Sequence, residues 1–256
     1  MGSSIAPTTR IAAALAAALV VCGARPAAAA PPAPPLAAVT LVGPVEVVFA
    51  AGRDACDGND VSDVNARAFR EASGSVALFA LHTNNRALRG PDLAHLKIDC
   101  RVPLRSGGNE DPARYDDASW IAATWTDDGT HVTALVHHEF QANTHPGRCG
   151  RKEYIACWYN AVVAVRSADG GRSFTRPEPP AVVAAAPFRQ EVGQGRHRGF
   201  FNPSNIVGDG SHRFMFASTT GWTGQSAGPC LFRTATPSDA ASWRAYDGRD
   251  FSVRFP

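Results

Sequence analysis

Lysine is almost missing from this sequence. Lys97 and Lys152 are its only copies, and arginine carries the rest of the positive charge. With a formal net charge of +2 over 256 residues, neither sign is in excess. Nothing therefore points to nucleic acid or to an anionic membrane surface as a partner. Long apolar runs are also missing. Beyond the first thirty residues none approaches the ~20 residues that a spanning helix requires, so no membrane span is expected. There is no C-x-x-C pair and no clustered His/Cys set, and neither a metal nor a cofactor is expected. Amphipathic helical periodicity is scarce too, which argues against a helical bundle.

The N-terminus holds the one sustained apolar stretch. Met1 to Thr9 is short and mostly polar, Arg10 adds a cation, and Ile11 to Val21 is rich in Ala, Leu and Val. At about 11 residues this run is too short to cross a bilayer. The small residues Ala27 to Ala30 suit an A-x-A cleavage site. Residues 1–30 read as a cleavable signal peptide cut near Ala28 or Ala29, and the protein is expected to be secreted or periplasmic. Cys22 follows Val21 rather than a small residue, which argues against a lipid anchor. Residues 31–40 read as an extended Pro/Ala linker, and residues 41–256 as one domain with a sizeable core.

Five cysteines follow the signal. Export makes disulfides permissible. Cys149 and Cys157 flank a short polar loop and are expected to close it. Cys56 and Cys100 bracket the first strand-rich unit and are expected to pair, which leaves Cys230 over.

The body of the chain reads as all-β. Short β-prone runs such as Val76-Leu78-Phe79, Val132-Leu135-Val136 and Ala161-Val163-Val165 are broken by Gly, Asp, Asn and Pro. A repeat runs through them. Ala68-Phe69-Arg70 passes Gly74 into Val76 to Ala80. Ala123-Thr124-Trp125 passes Asp127-Asp128-Gly129 into Val132 to Val136. Asn205-Ile206-Val207 passes Gly208-Asp209-Gly210 into Phe214 to Ala217. Each is a hairpin with a glycine-bearing turn. A second strand pair is expected after each, near 93–104, 160–175 and 231–251. Four-stranded units in repetition predict a β-propeller, with a β-sandwich as the alternative. Three blades are countable, and because rings close with about four to eight, the sequence reads as an incomplete five- or six-bladed propeller.

Residues 167–174 read Ser-Ala-Asp-Gly-Gly-Arg-Ser-Phe and fit S-x-D-x-G-x-[ST]-[WF]. Asp169 is expected to accept backbone N–H bonds across a turn opened by Ser167. Gly171 supplies permissive backbone, and Phe174 packs inward. Thr236 to Trp243 reads as a degraded second copy. This pattern resembles the Asp box (BNR repeat) of the sialidase-like glycosidase superfamily. The carboxylate placement resembles that of five-bladed glycosidases such as arabinanases.

The resemblance implies a secreted propeller that hydrolyses glycans, and a non-catalytic glycan- or protein-binding propeller is the alternative. Glycoside hydrolysis takes two carboxyl groups. The loops entering each innermost strand and leaving the second strand share the face opposite the Asp-box turns. That face offers Asp63 and Glu139 as the catalytic pair, with Asp117 tuning the acid. Arg67, His137, His138, Asn202, Asn205 and Trp222 are the candidate substrate contacts. The resemblance to sialidases adds Arg233 and Tyr159 as a second cation and a tyrosine. His137 and His138 are neighbours on one strand and point to opposite faces, so they do not read as a metal pair.

Overall fold

A computed structural model describes residues 40–255. The signal peptide expected at residues 1–30, and all but Thr40 of the linker expected at 31–40, lie outside the described residues. A compact unit begins at Val45. Its only α-helix among the described residues is the single turn Ala51–Asp54. No helix there is long and apolar enough to cross a membrane.

The three repeats fold into three antiparallel four-stranded propeller blades. Blade one is β1 (Ser62–Arg70), β2 (Val76–Leu81), β3 (Ala87–Gly90) and β4 (Lys97–Ile98), paired in that order. Blade two is β5 (Ala118–Trp125), β6 (Val132–Phe140), β7 (Tyr159–Ser167) and β8 (Ala181–Ala184). A connecting strand follows, β9 (Arg198–Phe201). Blade three is β10 (Val207–Gly208), β11 (Arg213–Thr219), β12 (Gly228–Thr234) and β13 (Arg244–Tyr246), with the short β14 (Phe251–Val253) added outside.

The inner hairpins lie where the Gly-bearing turns predict them. The outer pairs of blades one and two do not: β3 starts at Ala87, before the expected 93–104 window, and β8 starts at Ala181, past the expected 160–175 window. Asn85 causes the early return. It sits at φ 52°, and its N–H donates to His82 O at 2.7 Å, so the chain reverses within four residues. Asparagine is among the few residues that tolerate this left-handed backbone.

Apolar faces meet between blades. Phe79, Ile121, Val136, Val165 and Phe174 fill the border of blades one and two. Leu135, Val162, Phe200, Met215, Phe232 and Trp243 fill that of blades two and three. The second border also carries backbone pairing. β9 runs parallel to β7 and antiparallel to β11, so blades two and three share one continuous ladder. Gly199 makes this possible. Its φ is 111°, and a Cβ there would stand 1.9 Å from Asn160 O.

At the far end of blade two, the Ser167–Phe174 turn is built around one carboxylate. Asp169 accepts from Arg172 N (2.9 Å), Ser173 N (2.9 Å), Ser173 Oγ (2.6 Å) and Ser167 Oγ (2.7 Å). Burial acts to raise its pKa. These hydrogen bonds outweigh it and hold the group at about 2. Its stabilisation is therefore complete above the ordinary carboxylate range and is lost as pH falls toward 2. Asp169→Asn keeps the shape but weakens the charge-assisted bonds, and should cost about 1–2 kcal/mol. Urea unfolding at pH 7 measures it, and turnover per folded molecule should not change.

The degraded copy in blade three has a different register from the sequence reading. Ser167 closes β7 opposite Val132, and Thr234 closes β12 opposite Arg213. Thr236 N donates to Thr234 Oγ1 as Asp169 N donates to Ser167 Oγ. Thr234, not Thr236, therefore stands where Ser167 does. Two extra residues precede Trp243, which still reaches the core at 1 % exposure.

Both expected disulfides are present. Cys56–Cys100 ties the entry of β1 to the second residue after β4, and Cys149–Cys157 closes the loop between β6 and β7. Each has Cα atoms 5.6 Å apart. Cys230 is the one cysteine among the described residues outside these two bonds, and burial pushes its pKa up.

Candidate active site

The strands bring two carboxylates from different blades to one cleft. Asp63 is the second residue of β1. Glu139 is the penultimate residue of β6, opposite Ala118 on β5 and Asn160 on β7. A cleft of ≈ 300 Å³ is lined by both, together with Trp120, His137, Trp158, Asn160, His197 and Asn202 among others. Asn160 and Ser167 lie seven steps apart on one strand, roughly 23 Å at ~3.3 Å per residue. The cleft and the Asp169 turn thus occupy opposite ends of the blade.

Asp63 is the wetter acid, with its side chain 43 % exposed. Its Oδ2 accepts the Trp120 indole N–H at 2.7 Å, and His82 Nε2 stands 3.6 Å away. Glu139 is enclosed, at 12 % side-chain exposure. Burial pushes its pKa up to about 7. The Gln141 amide, donating to Oε2 at 2.9 Å, and Asn160 act against this, while the charges of Asp63 and Asp117 add to it.

His137 links the two acids. Its ring lies 5.8 Å from that of Trp120, and its Nε2 is 3.5 Å from Glu139 Oε1. Burial lowers its pKa to about 4, with the Asp63 charge pulling the other way. Between about pH 4 and 7 both His137 and Glu139 are neutral, so their contact is not an ion pair. Asn160 Nδ2, 3.1 Å from Nε2, donates to it and leaves the ring proton on Nδ1. Asn160 Oδ1 is buried and has no hydrogen-bond partner among the described residues.

Four sequence-predicted contacts stand at the cleft: Asp63, His137, Glu139 and Asn202. The others stand elsewhere, each for a physical reason. Arg67 donates Nε to Ala122 O (2.6 Å) and Nη2 to Pro203 O (3.3 Å), so it braces neighbouring inner strands. His138 points to the other face of β6 and is fully buried. Its Nε2 accepts from Asp117 N at 3.2 Å, and burial, followed by the charges of Arg176 and His137, lowers its pKa to about 3. Asn205 accepts from Thr124 N at 3.1 Å and joins the inner strands of blades two and three. Trp222 is partly buried, packs edge-on against Phe188, Phe200 and Phe255, and does not line the cleft. Asp117 lies behind the cleft, where its Oδ2 accepts from Gln141 N (2.8 Å) and meets His145 Nε2 (2.9 Å).

Neither residue added by the sialidase resemblance reaches the cleft. Arg233 lies over the Phe251 ring at 4.2 Å, and the Tyr159 hydroxyl donates to Ala186 O at 2.8 Å. A second cavity of ≈ 190 Å³ lies beside Arg176 and Arg114, whose charges are already met by Asp116 and Glu178.

Sequence reasoning missed Trp120, Asn160, Trp158 and His197. Asn160 had left a trace, because it is a lone amide opening an otherwise apolar strand, Ala161 to Val165. Trp120 had left one only in hindsight, since its place opposite His137 depends on strand register.

No family model matches the chain, and no curated protein matches it. Solved structures that it resembles include an endo-arabinase from Bacteroides thetaiotaomicron, at 12 % identity and TM-score 0.35, over 73 % of this chain and 80 % of that one. An α-L-arabinanase mutant from Cellvibrio cellulosa matches at 10 % identity and TM-score 0.36, over 76 % of each chain. An exo-1,5-α-L-arabinanase from a bovine ruminal metagenomic library matches at 10 % identity and TM-score 0.34, over 76 % of this chain and 78 % of that one.

Proposed function

We propose that this protein is an exported glycoside hydrolase acting on neutral glycans, with Glu139 as the general acid and Asp63 as its partner carboxylate. One observation carries the reading: two carboxyl groups from different blades line one cleft, and one of them keeps its proton to about pH 7. Glycosidic cleavage needs that division of labour. Glu139 gives its proton to the leaving oxygen as the anomeric C–O bond breaks. Asp63 attacks the anomeric carbon or deprotonates the attacking water. Asn160 and His137 hold Glu139 in place, and Asn202 contacts substrate hydroxyls.

The charge of the lining supports a neutral sugar. No Lys or Arg lines the cleft, and its buried His137 is neutral above about pH 4. A sialic acid or uronic acid carboxylate would meet two acids with no cation to offset them. The two disulfides suit an oxidising compartment outside the cytoplasm, where glycans are met.

The test is release of nitrophenol from aryl glycosides of arabinose, xylose, galactose, glucose and sialic acid. Hydrolysis of a neutral glycoside is expected, falling off as pH rises through about 7, with none of the sialoside. Cleavage of the sialoside alone would reverse the neutral assignment. Glycan binding without turnover would make the protein a binding module.

A further inference from the structure

We infer that the cleft accepts a chain of sugar rings, and that the disulfide-closed loop between β6 and β7 carries the platform for the second ring. This rests on the glycan reading above, but it stands on a different part of the molecule.

The loop from Cys149 to Cys157 is pinned at its two ends and turned back on itself between them. Gly150 N donates to Val192 O at 2.8 Å, Ala156 N to Glu153 O at 3.1 Å, and Trp158 N to Ile155 O at 3.2 Å. Gln194 Nε2 holds the Trp158 carbonyl at 2.7 Å, and the Trp158 indole N–H donates to Asn143 Oδ1 at 2.5 Å. A segment fixed this firmly would be expected to bury its large apolar side chains. Instead Tyr154 is 63 % exposed and Ile155 is 43 % exposed. Tyr154 meets the Trp158 ring edge-on with centroids 4.8 Å apart. Ile155 and Trp158 line the cleft itself, so the exposed surface continues outward from the catalytic pair without a break.

Pinned aromatic rings with an open face suit the apolar C–H face of a pyranose or furanose ring, whose hydroxyls then point to water. The occupant is neutral for the reason already given, since no cation lines the cleft. It is the next ring of the same glycan, because Ile155 and Trp158 belong to both surfaces. The disulfide holds the loop backbone, the Asn143 bond fixes the Trp158 ring, and Tyr154 rests edge-on against that ring, so less side-chain freedom is lost on contact.

The experiment compares nitrophenyl monoglycosides of arabinose, xylose, galactose and glucose with the two- to five-ring oligosaccharides of the same sugars. The readout is the ratio of kcat/KM for an oligosaccharide to that for the matching monoglycoside. Tyr154→Ala should lower this ratio roughly 3- to 10-fold, the effect of removing one aromatic contact, and Tyr154→Phe should restore it. Quenching of tryptophan fluorescence by the same oligosaccharides gives a second reading that needs no turnover, and Tyr154→Ala should weaken it by a similar factor. An unchanged ratio with unchanged quenching would overturn the platform and leave the hydrolase reading standing. Weakened binding in a protein that cleaves nothing would support the platform and overturn the hydrolase. No binding of any of these sugars by the unmodified protein would overturn both.

Discussion

Glu139→Gln should lower turnover on a cleavable aryl glycoside by roughly 10²–10⁴-fold while substrate binding persists, because the amide keeps the shape of the acid without its proton. The pH profile makes the assignment specific. With Glu139 raised to about 7, the working form is protonated below that value, and activity falls as pH climbs through it. The residual activity of the variant should lack this limb.

Stability moves in the same experiment. The folded protein holds the Glu139 proton from the ordinary 4.5 up to about 7, where the unfolded chain has lost it. Between those values the native state binds more protons, so stability falls as pH rises, by roughly 3 kcal/mol in all. Glu139→Gln removes that slope. His137 and His138 act with the opposite sign, since burial keeps them neutral down to about 4 and about 3. The unfolded chain takes up protons there first, and stability falls as pH drops below about 6.5. Equal turnover in wild type and variant, measured across pH 4–9, would exclude Glu139 as the acid.

The second large effect lies at the other end of the blades. Glu71→Ala should destabilise the protein by about 3–5 kcal/mol, the usual cost of removing one partner from a buried ion pair. Glu71 has a side chain only 5 % exposed and meets two arginines. Arg89 Nη1 bonds its Oε1, and Arg172 approaches Oε1 at 3.1 Å and Oε2 at 3.2 Å. Arg89 is itself enclosed, and it donates to Gly170 O and Gly171 O at 3.1 and 2.8 Å. Losing Glu71 leaves the enclosed Arg89 guanidinium against the turn of the next blade, with only Asp99, at 3.6 Å, to offset its charge. Denaturant unfolding measures the loss, and Glu71→Ala with Arg89→Ala should cost less than the sum of the two singles. A loss under about 1 kcal/mol would show that solvent already compensates these charges. Turnover of the folded fraction should not change, because Glu71 is far from the cleft.

The three hairpins, the Ser167–Phe174 turn and both disulfides were legible in the sequence. Each is written in local chemistry: glycine at a turn, a carboxylate three residues before the N–H it accepts, cysteines at closable spacing. Asp63 and Glu139 were legible through position alone, as acids at loop mouths on one face. What stayed hidden depended on neighbours distant in the chain. Arg67 looked like a ligand for substrate because it is charged and near the channel. Its donors are taken by the carbonyls of Ala122 and Pro203, 55 and 136 residues away. Trp222 looked like a sugar platform because it is aromatic after a strand, but it packs edge-on against three phenylalanines from other segments, outside the cleft. Tyr154 and Trp158, in a loop with no repeat, gave no periodic signal at all.

The strand Arg198–Phe201 gives the two blade borders different characters. Blades two and three are sewn through main-chain ladders on both sides of β9. Blade one meets its neighbour chiefly through side chains, such as Arg67 and Asn85, whose Nδ2 and Oδ1 take Ser119 O and Ile121 N. Partial opening therefore follows a seam. Blades two and three should then open as one cooperative foldon, and blade one, cross-linked on itself by Cys56–Cys100, should separate as a unit, which hydrogen exchange would show. Asp63 rides on the detachable side and Glu139 on the sewn one, so the first local opening event should divide the proposed catalytic pair while leaving most of the amide protection in place.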